Sequence, residues 1–107
     1  MHQEEFLAET QKKAEEKVWQ IVSQIPHGQV ASYGQIARLA GMPSHARLVG
    51  RILSQLPPGT RLPWHRVVNG QGKITNPARD RQLKRLLDEG ITPVNGRVSL
   101  RHYGWDV

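Results

Sequence analysis

Ser32-Tyr33-Gly34-Gln35-Ile36-Ala37-Arg38-Leu39-Ala40-Gly41-Met42-Pro43-Ser44-His45-Ala46-Arg47-Leu48-Val49-Gly50-Arg51 is the stretch that decides the fold. Ser32 with Gln35 three residues on has the form of a capping box, which starts a short helix through Ile36, Ala37 and Ala40. Gly41 supplies the left-handed residue that ends it. Ser44 then caps a second helix whose apolar face is Leu48, Val49, Ile52, Leu53 and Leu56, leaving Arg47, Arg51 and Ser54 towards solvent. Two short helices joined by a glycine-containing turn of about four residues form a helix-turn-helix signature. Its second helix is the one that meets DNA, and here that helix carries the exposed arginines. Helix pairs also occur in proteins that never touch DNA, so the geometry alone leaves the partner open.

Upstream, Ala14, Val18, Ile21, Val22 and Ile25 recur at helical spacing until Pro26-His27-Gly28 stops the run. Gln29-Val30-Ala31 is a short extended link. Downstream, Pro57-Pro58-Gly59-Thr60 breaks the chain, and Val67-Val68, Asn69-Gly70-Gln71-Gly72 and Lys73-Ile74 have the pattern of a small hairpin. Asn76 and Pro77 then open a further helix with Leu83, Leu86 and Leu87 as its buried face and Gly90 at its end. Asn95-Gly96 marks a tight turn, and Val98, Leu100, Tyr103 and Trp105 pack back on the core. The expected architecture is one mainly α domain over residues 1–107, a helix-turn-helix with a short β-hairpin wing, winged-helix-like.

Charge is distributed unevenly. The net charge is +6, yet residues 1–45 sum to −1, and residues 46–107 carry eleven Lys/Arg against four acidic residues. A polyanion partner fits that asymmetry, as does a generically basic, solvated surface. The chain has no cysteine, which excludes disulfides, thiolate catalysis and thiolate metal sites. His2, His27, His45, His65 and His102 are too scattered for a metal site, and no cofactor is expected. No apolar run reaches the roughly 18 residues of a membrane span, and the acidic start Met1-His2-Gln3-Glu4-Glu5 is unlike a secretory signal. The expectation is a soluble, monomeric, cytoplasmic protein, nucleoid-associated if bacterial.

Between the proline-rich break and Val67-Val68 stands Pro63-Trp64-His65-Arg66, an aromatic beside an imidazole and a guanidinium. With Ile25-Pro26-His27-Gly28-Gln29-Val30, Ser32-Tyr33-Gly34-Gln35-Ile36-Ala37, Ala46-Arg47-Leu48-Val49-Gly50 and Leu86-Leu87-Asp88-Glu89-Gly90, this motif resembles the C-terminal, DNA-binding domain of the O6-alkylguanine-DNA alkyltransferases. The five segments run in order over about two thirds of the chain, which leaves no room for the family's separate N-terminal domain. In that family the residue between proline and histidine is the alkyl-accepting cysteine; here it is Trp64. The chain thus resembles the alkyltransferase-like proteins, the non-repairing branch, which bind O6-alkylguanines in duplex DNA and hand them to nucleotide excision repair.

The resemblance implies a role for each matched residue. Tyr33 would sit beside the 3′ phosphate of the flipped nucleotide and help to rotate it, where the bland reading is a core-packed aromatic; Gly34 would leave room for close approach. Arg47 would fill the hole left by the extruded base, since its planar cation both stacks and donates, where the bland reading is a solvated arginine. Ala46 and Gly50 beside it are small enough for groove contact, and the family's recognition helix enters the minor groove. Gln35, Ser44, Arg51 and Arg66 complete the expected DNA contacts.

Trp64 is either a core tryptophan or a broad apolar face for the purine and its O6 substituent. Val67 and Arg79 complete the expected lesion pocket with Tyr33, Trp64, His65 and Glu89. His65 and Glu89 match the pair that activates the family's cysteine through a water. Without a thiol they read as a buried hydrogen-bond pair that fixes the pocket, the sharper alternative being a water activated by His65. Lys73, Arg81, Lys84 and Arg85, like Arg66, read as phosphate contacts or solvated charge. Two departures stand out: Leu56-Pro57 replaces the family's Asn-Pro hinge, and Ile74-Thr75-Asn76-Pro77-Ala78 replaces a longer loop containing serine and glycine. The expected function is recognition without catalysis, the rivals being a lesion hydrolase or glycosylase using His65 and Glu89, and a sequence-reading regulator.

Overall fold

The computed structural model describes residues 2–107, with side chains from Thr10 onward, so the His2 imidazole and the acidic start lie outside the described side chains. The chain runs α1 (His2–Val22), β1 (Ala31–Ser32), α2 (Tyr33–Leu39), α3 (Ala46–Ser54), a 3-10 turn (Trp64–Arg66), β2 (Val67–Val68), α4 (Arg79–Asp88) and α5 (Leu100–Tyr103). The architecture is mainly helical and contains the helix-turn-helix in α2 and α3. None of the described helices is long and apolar enough to cross a membrane.

Two apolar clusters make the core, and the short sheet stands between them. Val18, Val22 and Ile25 from α1 and its exit meet Ile36 and Ala37 of α2 and Val49, Ile52 and Leu53 of α3, with Ala31, Trp64 and Val67 completing the cluster. Val30, Val68, Leu86, Ile91 and Val98 form the second. Neighbouring strand residues therefore feed opposite clusters, Ala31 and Val67 one way, Val30 and Val68 the other, as period-2 side-chain alternation requires. Each such valine contributes roughly 1.5–3 kcal/mol by leaving water.

That arrangement corrects the hairpin wing. Asn69-Gly70-Gln71-Gly72 does turn, its Asn69 Oδ1 accepting from the N–H groups of Gln71 and Lys73 at 2.9 and 2.8 Å. The strand before it pairs elsewhere: β2 lies parallel to β1, with Ala31 opposite Val67 and Ser32 opposite Val68. Val67 and Val68 are both buried, so the segment has no solvent face for a hairpin wing, and burial on both sides is the habit of parallel strands. Lys73 bridges Arg97 in the tail instead.

Ser32 caps α2 as expected, though without a full capping box, and two other helix starts differ from expectation. Ser32 Oγ accepts from Gln35 N–H at 3.0 Å, but the Gln35 side chain does not return to the cap; its Nε2 donates to the Trp105 carbonyl at 2.8 Å. The helix α3 begins at Ala46 with His45 as its N-terminal cap, while the Ser44 hydroxyl bonds His45 Nδ1 and caps nothing. Asn76 Oδ1 accepts from Ala78 N–H at 2.9 Å in a turn, so α4 opens at Arg79 rather than at Pro77. On α4 the buried residues are Gln82 and Leu86, with Leu83 and Leu87 exposed. A glutamine takes the core position because its Nε2 donates to the carbonyls of His65 and Val67, at 3.1 and 2.8 Å. It thereby ties α4 to the 3-10 turn and to β2.

The tail behaves as its sequence predicts. Asn95 and Gly96 take φ of 53° and 75°, joining Val94 to Arg97 through a tight turn. Trp105 N–H donates to the Val30 carbonyl at 2.7 Å and Val30 N–H to the Tyr103 carbonyl at 2.9 Å, so the last residues extend the sheet beside Val30. Gly72 is the tightest point: its φ is 81°, and a Cβ there would lie 2.1 Å from the Val98 carbonyl oxygen. Gly72→Ala should therefore cost roughly 3 kcal/mol in urea unfolding, from the left-handed backbone and the displaced tail together. A loss under about 1 kcal/mol would show that the tail moves freely away from the turn.

Candidate nucleic-acid interface

Two adjacent depressions lie along the helix-turn-helix. The larger is an open cleft of about 870 Å³ between α2, α3 and the segments around Asn69 and Thr75. Tyr33, Gly34, Ala46, Arg47, Gly50 and Arg51 line it, six of the nine residues expected to meet DNA. Arg38 and Ser54 join them. The smaller is a pocket of about 280 Å³ bounded by Trp64, the Pro57-Pro58-Gly59 break, Arg81 and Arg85. Ser54, Asn76 and Pro77 belong to the walls of both, so the pocket opens beside the cleft.

Local chemistry places the cleft's side chains. Tyr33 is the first residue of α2, capped by Ser32, so its phenol leaves the helix at the end where backbone N–H groups are free. Its ring packs beside Gly50 and its hydroxyl accepts from Thr75 Oγ1 at 3.3 Å, joining the helix pair to the loop before α4. Tyr33 is thus an aromatic packed on the first core cluster whose hydroxyl stands at the cleft. Arg47 and Arg51 are exposed and project from the outer face of α3, opposite Val49, Ile52 and Leu53.

Trp64 is a core tryptophan at the edge of the pocket. It is 5% exposed and belongs to the first core cluster, yet its ring forms part of the pocket wall. The Arg81 and Arg85 guanidinium carbons lie 5.6 and 5.5 Å from its ring centroid, within cation–π range. Behind it, edge-on to the indole, sits His65.

His65 and Glu89 form the expected buried pair, Nε2 to Oε2 at 2.5 Å. The carboxylate holds more than the histidine. Arg66 Nε reaches both its oxygens at 3.0 Å, and Gly28 N–H donates to Oε1 at 2.8 Å. Arg66 Nη1 in turn donates to the Ile25 carbonyl at 2.8 Å. This corrects the reading of Arg66 as a DNA contact: its side chain is 16% exposed and directed inward. Burial pushes the Glu89 pKa up, but Arg66, the Gly28 N–H and His65 outweigh it and hold the carboxyl at about 2. Burial lowers the His65 pKa against the pull of Glu89, with the Arg66 and Arg85 charges adding to the lowering. A neutral imidazole bonded to a carboxylate must donate from Nε2; Nδ1 has no hydrogen-bond partner among the described residues.

Other expected residues fall elsewhere. Val67 is 1% exposed inside β2, and with His65 and Glu89 it lies behind the pocket rather than on its wall. Arg79 is exposed at the start of α4 and lines neither depression; the cations at Trp64 are Arg81 and Arg85, one helical turn apart and hence on one face. Their spacing was the signal that could have found them. The Gln35 side chain is committed to the tail and lines a separate depression with Arg38 and Arg101, and Ser44 lines neither cleft nor pocket. Among the described residues no group of three His, Asp or Glu side chains is placed to hold a metal.

Comparison with known proteins gives this geometry a lineage. Residues 13–91 match the DNA-binding domain of the 6-O-methylguanine DNA methyltransferases. The chain belongs to that family. Among its relatives, the DNA base-flipping protein of Escherichia coli is 49% identical over 94 residues, 85% of this chain and 73% of that protein. Alkyltransferase-like protein 1 of Schizosaccharomyces pombe is 47% identical over 79 residues, 70% of this chain and 73% of that one. The crystal structure of S. pombe Atl1 with damaged DNA containing O6-carboxymethylguanine superposes with a TM-score of 0.81 at 38% identity, covering 90% of this chain and 97% of that one. The methyltransferase fold is thus present with an indole, Trp64, in the proline-to-histidine position of the 3-10 turn.

Two predictions follow from this packing. The Glu89 and His65 shifts have the same sign for stability. Neutral His65 favours the folded state above about pH 6.5, and ionised Glu89 favours it above about 4.5, its share being lost as the pH falls towards 2. Glu89→Gln should lose about 3 kcal/mol at pH 7 and flatten the stability profile between pH 4.5 and 2, measured by urea unfolding. An unchanged slope there would locate the acid lability elsewhere. Gly50→Ala, in contrast, should stabilise α3 by about 1 kcal/mol, because the new methyl meets the Tyr33 ring at an ordinary 3.7 Å. The same methyl narrows the cleft, so DNA affinity should fall while the melting temperature rises.

Proposed function

We propose that this protein is a sensor of O6-alkylguanine in duplex DNA that binds the lesion without reacting with it. The observation that carries the reading is the adjacency of pocket and cleft, with Arg47 and Tyr33 on one side of the Ser54–Asn76–Pro77 wall and Trp64 on the other. The helix α3 docks in the minor groove, Arg47 enters the stack in place of the extruded guanine, and the Tyr33 hydroxyl turns the phosphate. The flipped base passes the shared wall and meets Trp64. Its relatives support this: one is named for base flipping, and another is solved on DNA carrying an O6-alkylated guanine.

Magnitudes favour recognition over plain guanine. A base stacked on an aromatic is worth about 1–3 kcal/mol. Each buried alkyl carbon adds roughly 0.8 kcal/mol, and a poorly paired lesion costs less to extrude. Catalysis has no matching support. The chain has no thiol, indole nitrogen is a feeble nucleophile, and His65 is buried behind Trp64, off the pocket wall. A hydrolase using His65 and Glu89 would need a saturated alkyl ether to yield to water. The bound complex, with its guanine held outside the helix, then serves as the mark that nucleotide excision repair proteins act on.

A duplex with one O6-methylguanine should bind at least about tenfold more tightly than its unmodified twin, and mass spectrometry of the recovered strand should show the methyl group intact. Methyl found on the protein, or released as methanol or free base, would overturn the non-enzymatic reading. In the same titration Arg47→Ala should erase most of the lesion preference, whereas Lys73→Ala should weaken both duplexes alike. Equal losses would mean that bulk charge alone drives binding.

A further inference from the structure

The pocket at Trp64 has an electrostatic character that an alkyl-binding role does not require. Arg81 and Arg85 emerge from one face of α4, a turn apart, and both guanidinium groups lie over the indole. Among the described residues neither has a hydrogen-bond or ion-pair partner. The acids of the same helix are paired or lie off the pocket: Asp80, in the first turn, is exposed and lines no part of it. Glu89, just past the helix end, is held by Arg66 and His65, and Asp88 pairs with Lys84 at 3.4 Å on the exposed side. Among the described residues no Asp or Glu lines the pocket.

These two cations are distinct from the cleft's arginines. Arg38, Arg47 and Arg51 line the open cleft; Arg81 and Arg85 line only the pocket. A backbone phosphate following the helix-turn-helix would meet the first group. Whatever reaches the second has passed the Ser54–Asn76–Pro77 wall, and on the reading above that is the flipped base with its O6 substituent. A methyl group gives two guanidiniums nothing to bind. A carboxylate gives them an acceptor of matching geometry, since the guanidinium fork bonds a carboxylate through paired N–H donors.

We propose that Arg81 and Arg85 make the Trp64 pocket selective for O6 substituents that end in an anion, such as a carboxymethyl group, over neutral substituents of the same size. The indole supplies contact area to any adduct, and the arginine pair ranks adducts by charge. This inference rests on the lesion-sensing reading, and its test must separate the two.

The test uses three duplexes of one sequence, carrying guanine, O6-carboxymethylguanine or O6-carbamoylmethylguanine. The last is the neutral amide of nearly the same shape. The full chain should bind the carboxylate about tenfold more tightly than the amide at low salt, a gap that narrows as salt rises. In Arg81→Gln/Arg85→Gln the gap should close while the amide duplex keeps its advantage over guanine. Arg81→Lys/Arg85→Lys should restore part of it, and matching thermal melts would show that all variants fold. Equal binding of carboxylate and amide, both above guanine, would overturn the charge selectivity and leave lesion sensing standing. A carboxylate preference that survives the double glutamine variant, or an equal loss on all three duplexes, would overturn it too, the latter by making these arginines phosphate contacts. If neither adduct exceeds guanine, the lesion-sensing reading falls and takes this inference with it.

Discussion

Glu89 is the constraint on which the rest of the structure depends. One carboxylate, at the end of α4, gathers the Arg66 guanidinium, the His65 imidazole and the Gly28 N–H. Arg66 continues to the Ile25 carbonyl at the exit of α1. Three segments far apart in sequence are thereby joined at one polar point: the loop after α1, the 3-10 turn that carries Trp64, and the last helix of the second core cluster. A charge buried to this degree is tolerated only when its lone pairs are filled, and Glu89 meets that condition with four donor contacts from three groups. Gln82 repeats the logic two turns earlier in α4. Its amide holds the carbonyls of His65 and Val67, so the segment that presents Trp64 is fixed from both its side chains and its backbone.

Rigid support of that kind matters for a recognition surface made of one indole. The 3-10 turn is only three residues long and cannot stabilise itself. Anchored by Glu89 and Gln82, it holds Trp64 against the core with the Arg81 and Arg85 side chains over its pocket side, so a base arriving there has only those two flexible side chains to displace. Preorganisation is the common need of a reactive thiolate and of a stacking platform. The same polar anchor can therefore support either side chain between Pro63 and His65.

The parts of the structure that were legible in the sequence are those set by local rules. Ser32 capping α2, Gly41 ending it with φ of 77°, the buried Val49–Ile52–Leu53 face and the Asn95-Gly96 turn each depend on neighbours within a few residues. The misread parts all depend on distant partners. Val67-Val68 has the composition of any short strand, and only the approach of Ala31-Ser32 makes it parallel. Leu83 and Leu87 have the helical spacing of a core face, but a glutamine one position away satisfies two carbonyls that the sequence places on no map. Arg66 and Arg81 look alike in a basic segment. One is drawn inward by a carboxylate 23 residues on and the other lies over an indole. Charge sign was readable, and charge direction was not. At the candidate site the cleft was largely legible, because its residues sit on the exposed faces of two predicted helices. The pocket was legible only in Trp64, since its other walls come from a loop and a helix whose register local patterning misjudged.

Persistence of the His65–Glu89 pair beside a tryptophan is consistent with that division of labour. A histidine kept for proton transfer gains from a pKa near neutrality and from a free nitrogen directed at its substrate. Here burial and two nearby guanidiniums hold the imidazole neutral, and its Nε2 proton is committed to a carboxylate that Arg66 has already stabilised. The imidazole Nδ1 has no partner among the described residues, but it is buried behind Trp64 and off the pocket wall, so the pair is better placed to keep a fixed geometry than to meet a substrate. Removing the imidazole would leave one Glu89 oxygen short of a donor, and removing the carboxylate would leave Arg66 unpaired in a nearly dry site. Either loss would be felt in the placement of Trp64, which gives folding its own reason to hold both residues. The polar groups that could serve a reaction are here also the scaffold of the segment that presents Trp64.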